Sequence, residues 1–132
     1  MDKGNSHKPT TLQKGMCGVY VFMLSEHCFK VGKAGIKSHA RWNSHHYNLD
    51  TSTPSTLSKS IINNRLRFKE YFPTEKHQEI DMLDKSNIQD WLKNNLARIE
   101  FLMEENENLF ALNLLEALVQ FRLKPIFEGK HA

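Results

Sequence analysis

The run Cys17-Gly18-Val19-Tyr20-Val21-Phe22-Met23-Leu24 constrains this chain more than any other segment. It is β-branched and aromatic without polar alternation, the pattern of a strand that is apolar on both faces. Ser25-Glu26-His27 reads as a short polar turn and Cys28 to Gly32 as a returning strand, so the two form a β-hairpin. With a three-residue loop over Ser25 to His27, Leu24 faces Cys28, Phe22 faces Lys30 and Tyr20 faces Gly32. Tyr20 and Lys30 are then diagonal neighbours on one face, and a two-residue loop would separate them.

The flanking segments follow from local signals. Residues 1–14 hold Lys, Ser, Thr, Pro and Gly with one leucine and read as a mobile tail. After Lys33-Ala34-Gly35 a helix is expected from about Lys37 to Tyr47, then a Thr/Ser/Pro/Asp loop, then a basic helical stretch from Thr56 to about Phe68. Phe72-Pro73 ends it, and Thr74 to Lys85 shows no readable periodicity. Ser86-Asn87-Ile88-Gln89 fits a capping box, and Ile88, Trp91, Leu92 and Leu96 form one apolar face of the helix that follows. Ile99, Phe101 and Met103 alternate as a third strand, and a last helix runs from Leu109 to Leu123, stopped by Pro125. The order β-β-α-(α-α)-β-α is α+β: a small three-stranded antiparallel sheet flanked by helices. One domain over 15–132 is expected, with a helical insertion at about 49–97.

Charge adds a hint of the partner. The net charge of +3 is unevenly spread: residues 1–70 carry +7, residues 71–132 carry −4, and five of the seven histidines lie in the basic half. That asymmetry suits a polyanion on one face, or is a fluctuation in a small protein. With 39% hydrophobic and 25% charged residues the chain has ordinary globular composition, which argues against disorder and coiled coil. No apolar run is long enough to cross a bilayer, and the polar N-terminus lacks a signal-peptide core. Two cysteines, Cys17 and Cys28, are too few for a disulfide framework, so a cytoplasmic, reducing location is expected.

Two helical stripes could carry chemistry. The Leu109–Leu123 segment is almost wholly apolar, and Asn113, Glu116 and Gln120 form one narrow polar line along it. The line is either a thin solvent-facing edge or a carboxylate held at the floor of a cleft. In the second case a hard cation such as Mg²⁺, which commonly takes one or two protein carboxylates, suits Glu116. In the first helix Lys37, Arg41 and His45 recur at i, i+4, i+8 and would grip a phosphate, unless they form a solvated basic face.

Together, Gly18-Val19-Tyr20, Lys30-Val31-Gly32-Lys33, Arg41-x-x-x-His45 and Glu116 followed by Pro125 resemble the GIY-YIG nuclease family. The resemblance covers roughly Cys17 to Tyr47 and Arg98 to Glu128. Two positions depart from the pattern: Lys30 stands where the second motif usually has Tyr, and Glu128 where a closing Asn is usual.

The resemblance implies a metal-dependent endonuclease hydrolysing phosphodiester bonds in DNA, in a restriction-, phage- or repair-type role. Glu116 would bind the divalent metal, Mg²⁺ or its substitute Mn²⁺, and Tyr20 would be the general base, its phenol depressed by Lys30 or Lys33. Arg41 would stabilise transition-state charge, and His45 would position the nucleophile or relay a proton. Nucleic acid would be held by Lys37, by the ridge Lys59, Asn63 and Arg67, and by His46, which with Trp42 and Tyr47 packs in the core or stacks on a base. DNA is the expected partner, with RNA as the other polyanion and no membrane. A concerted double-strand cut would imply a two-fold homodimer. The alternative is a non-catalytic nucleic-acid-binding or interaction module on the same fold.

Overall fold

The computed structural model describes residues 7–36, 39–50, 56–104 and 109–127. Its architecture is α+β, with a three-stranded antiparallel sheet in the order β2-β1-β3. Strand β1 is Met16–Leu24, β2 is His27–Ala34 and β3 is Ala97–Glu104. As its apolar run requires, β1 is central and covered on both sides. Gly18, Tyr20 and Phe22 face one layer; Cys17, Val19 and Val21 face the other.

From Phe22 inward the hairpin register is the expected one, reached by a different route, whereas the expected Leu24–Cys28 pair does not form. Leu24 pairs with His27 across a two-residue turn in which Ser25 is left-handed at φ 52°, and the register then shifts between Phe22 and Met23. Phe29 is the extra residue of this β-bulge. Turn and bulge together consume what a three-residue loop would, so Phe22 still pairs with Lys30 and Tyr20 with Gly32. The bulge also lets the consecutive Phe29 and Lys30 share the Tyr20 face, where Phe29 packs against Phe68, Tyr71 and Phe72.

Among the described residues six helices surround the sheet. On the Tyr20 face lie α1 (His39–Asn43), a 3₁₀ turn (His45–Tyr47), α2 (Leu57–Asn63), α3 (Arg65–Lys69), α4 (Thr74–Asp81) and α5 (Ile88–Asn95). Their buried side chains, among them Trp42, Tyr47, Leu57, Ile61, Phe68, Ile80 and Trp91, form one core with Tyr20 and Phe22. On the other face α6 (Leu109–Leu123) sets Leu112, Leu115, Val119 and Leu123 against Val19, Val21 and Val31. Lys124 ends it in a left-handed conformation (φ 49°), and the chain beyond Pro125 returns along β2, Ile126 and Phe127 donating to the carbonyls of Cys28 and Phe29. Among the described residues no helix is long and apolar enough to cross a membrane.

Several local expectations are corrected. Residues 7–14 are not a detached tail: His7 and Leu12 are buried, and Thr10 O accepts from the Trp42 indole at 2.7 Å. The helix expected to Tyr47 stops at Asn43 and tightens into the 3₁₀ turn. The stretch from Thr56 breaks at Asn64, whose side-chain amide donates back to Ser60 O and competes with the helix ladder. The unread Thr74–Lys85 segment contains α4. The capping box does not form, because Ser86 donates its hydroxyl to Asp84 at 2.6 Å and leaves Asn87 as N-cap.

Candidate functional site

Tyr20 points from the middle of β1 across edge strand β2 at its glycine. Gly32 is required there, since a Cβ would stand 2.6 Å from both Cζ and Oη of Tyr20. The phenol is wholly buried and lies 2.7 Å from Nε2 of His46. The other ring nitrogen of His46 accepts the backbone N–H of Leu57 at 2.9 Å. That nitrogen therefore carries no proton, so Nε2–H donates to the phenol oxygen. Leu57 opens α2, whose first N–H groups have no partner within the helix. One of them fixes the histidine tautomer. The segment that opens with α2 thus has a role at this site: its first amide holds His46.

The electrostatics agree. Burial, helped by the charges of Arg41, Lys30, Arg98 and His45, keeps His46 well below the ordinary histidine range, hence neutral. Burial pushes the Tyr20 phenol up to about 12, against the opposing pull of Arg41 and Arg98 and a hydrogen bond from Arg41. The expectation of a depressed phenol is corrected: desolvation outweighs the cations around it.

Arg98 organises this face. Its guanidinium lies 4.8 Å from the ring centres of both Tyr20 and Trp42, donates to Trp42 O at 2.9 Å and pairs with Glu100 at 2.8 Å. It also donates to the Tyr47 hydroxyl at 3.2 Å. That hydroxyl in turn donates a hydrogen bond to Nε2 of His7 at 2.8 Å, while His7 Nδ1–H donates to Leu96 O at 2.6 Å. Alternation along β3 places Arg98 on the polar phase, where it reads as solvent-facing, and no local signal marks it as buried.

A second cluster lies on the α6 side. Lys33 pairs with Val19 across the strands and so points away from Tyr20, donating to Asn113 Oδ1 and lying 3.6 Å from Glu116. The expected residues thus divide between two faces: Tyr20, Lys30 and Arg41 on one, Lys33 and Glu116 on the other. Edge strand β2 separates them at Gly32, and the Glu116 charge is still felt at the phenol, which it raises.

The remaining expected residues are less central. His45 begins the 3₁₀ turn, and it is its neighbour His46 that meets Tyr20, because the turn replaces the fourth helical step from Arg41. His46 is no nucleic-acid contact: it is buried with both ring nitrogens engaged, and Tyr47 and Trp42 are likewise core. Lys59, Asn63 and Arg67 form no single ridge, being divided between α2 and α3; Arg67 lies over the Phe127 ring. Lys37 and Glu128 lie outside the described residues.

Among the described residues no group of three or more His, Cys, Asp and Glu converges as a metal cage. A hard cation held by one carboxylate needs none. Asn113 and Glu116, one turn apart on α6, aim two oxygens at one ammonium, that of Lys33. A positive charge already occupies the point where these oxygens meet, and one carboxylate and one amide oxygen are hard donors of the type a divalent cation takes. Comparison of the chain with protein-family models, with curated proteins and with solved structures gives no match.

Proposed function

We propose that the chain is a divalent-metal-dependent endonuclease of the GIY-YIG kind, hydrolysing phosphodiester bonds in DNA. The observation that carries this reading is the Tyr20 phenol, which receives Nε2–H of a tautomer-locked His46 with Arg41 in reach of the same oxygen. Donation from His46 and the pull of Arg41 favour the phenolate, the form able to take a proton from water attacking phosphorus, and burial outweighs both in the resting protein.

Because the resting phenol is held near 12, Tyr20 acts as base only after its own proton has been released to bulk solvent. His46 does not accept it, since one ring nitrogen already bears a proton and the other holds Leu57. His46 is a positioning residue and Tyr20 the base. Arg41 stabilises charge developing on the phosphoryl oxygens, and Lys30 and Arg98 add positive potential. Glu116 and Asn113 would hold the divalent ion, which when bound supplies Lewis-acid stabilisation of the phosphate.

The second reading, a DNA-binding module without catalysis, is favoured by one observation: the Tyr20 hydroxyl has no exposed surface. Supercoiled plasmid incubated with protein and Mg²⁺ or Mn²⁺, with an EDTA control, separates the two. The nuclease predicts metal-dependent nicking that falls by about 10²–10³ in Arg41→Ala and is lost in Glu116→Gln. A protein that retards DNA in a gel but cuts with neither metal is the binding module.

A further inference from the structure

Helix α6 is apolar on two opposite sides. The inner side, Leu112, Leu115, Val119 and Leu123, is packed on the sheet. The outer side carries Phe110, Leu114, Leu118 and Phe121, which are 80%, 60%, 55% and 78% exposed. An amphipathic surface helix turns charge toward water, and one that is apolar all round belongs in an interior. Phe101 of β3, 40% exposed, extends the outer patch, and between it and α6 lies a dent of about 230 Å³ lined by Phe101, Leu118, Val119, Arg122 and Leu123.

We infer that this face is a two-fold interface with a second copy of the same chain, α6 packing antiparallel on α6. Two observations choose that occupant. The outer stripe reads Phe, Leu, Leu, Phe in either direction, so an antiparallel partner sets Phe110 against Phe121 and Leu114 against Leu118 on both sides of the axis. The exposed Ala117 near the axis allows close approach of the helices.

The area is adequate. Five large side chains at these exposures offer about 500 Å² of apolar surface per copy, the upper part of what lone chains expose and most of the ~800 Å² per partner of a standard interface. The interface does not depend on the nuclease reading. Glu116 lies on the flank of α6 that faces Lys33, outside the outer stripe, so both faces of the helix can be used at once.

Sedimentation equilibrium of the full chain at about 100 μM tests the proposal. Wild type is expected as a dimer and Leu118→Glu as a monomer, its dissociation constant raised about a hundredfold or more by burying two unpaired carboxylates. Far-UV circular dichroism and the melting temperature verify that the variant folds, as substitution of an exposed side chain should allow. Phe110→Cys mixed with Phe121→Cys should form a mixed disulfide in preference to either self-linked dimer, the native cysteines being buried. A monomeric wild type, a dimer indifferent to Leu118→Glu, or self-linked dimers in preference to the mixed one would each overturn the inference.

Discussion

Gly32 lies directly beneath the hydroxyl end of Tyr20, so close that a methyl group there would meet the phenol oxygen at 2.6 Å. A glycine in the body of a strand weakens it, and here the missing side chain is the space the phenol occupies. Gly32→Ala is expected to destabilise the protein by about 1–3 kcal/mol through overpacking. It should also push Tyr20 off His46. Long-range ¹H–¹⁵N spectra of the imidazoles should lose the Nε2–H tautomer pattern of His46, while urea unfolding reports the stability loss.

Arg98 is the buried charge on which four neighbours depend: Glu100, Tyr47, the Trp42 carbonyl and, through Tyr47, His7. Arg98→Met keeps much of the volume and leaves Glu100 without its cation in a half-buried setting. The expected cost is about 3–5 kcal/mol, the range for breaking one side of a buried pair. Equilibrium denaturation measures it, and a change within about 0.5 kcal/mol, typical of a surface site, would contradict the role given to Arg98.

Stability should fall as pH drops below the ordinary histidine range. His46 stays neutral in the folded chain well below 6.5, and His7 is lowered too, each mainly by burial. Just below 6.5 the unfolded chain therefore binds protons that the native state refuses, so stability rises with pH there and levels off above about 7. His46 alone contributes a slope of about 1.4 kcal/mol per pH unit. Unfolding free energies from pH 5 to 8 should show this slope, and His46→Gln should remove its share.

Lys33 is the counter-charge of the α6 oxygens. Lys33→Met should free Asn113 and Glu116 and tighten Mn²⁺ binding by about two- to fivefold, the effect of removing a partly exposed competing cation worth roughly 0.5–1 kcal/mol. Titration calorimetry with Mn²⁺ reads this without reference to turnover, and Glu116→Gln on the same background should abolish the gain. Weaker binding in Lys33→Met would mean that the ammonium helps hold the ion's ligands in place.

Much of the sheet and its last helix was legible in advance, because strand and helix periodicities are local properties of the chain. β1 has no polar phase, so it had to be covered on both sides; α6 begins and ends at Leu109 and Leu123 as its pattern implies. From Phe22 inward even the register survived a wrong loop length, since bulge and turn compensate; nearer the turn Leu24 pairs with His27 and not Cys28.

The site was legible only in its parts. Tyr20, Arg41 and Glu116 could be named, but which histidine meets the phenol was decided by a 3₁₀ turn and by an amide at the start of α2, eleven residues further on. Arg98 alternates like a surface residue and becomes buried because aromatic side chains from other elements close over it. Periodicity says which side chains share a face. What covers that face, how dry it becomes and therefore whether a phenol rises to about 12 or an imidazole stays neutral depend on groups remote in the chain. Desolvation and charge act through space, and only the tertiary structure sets those distances.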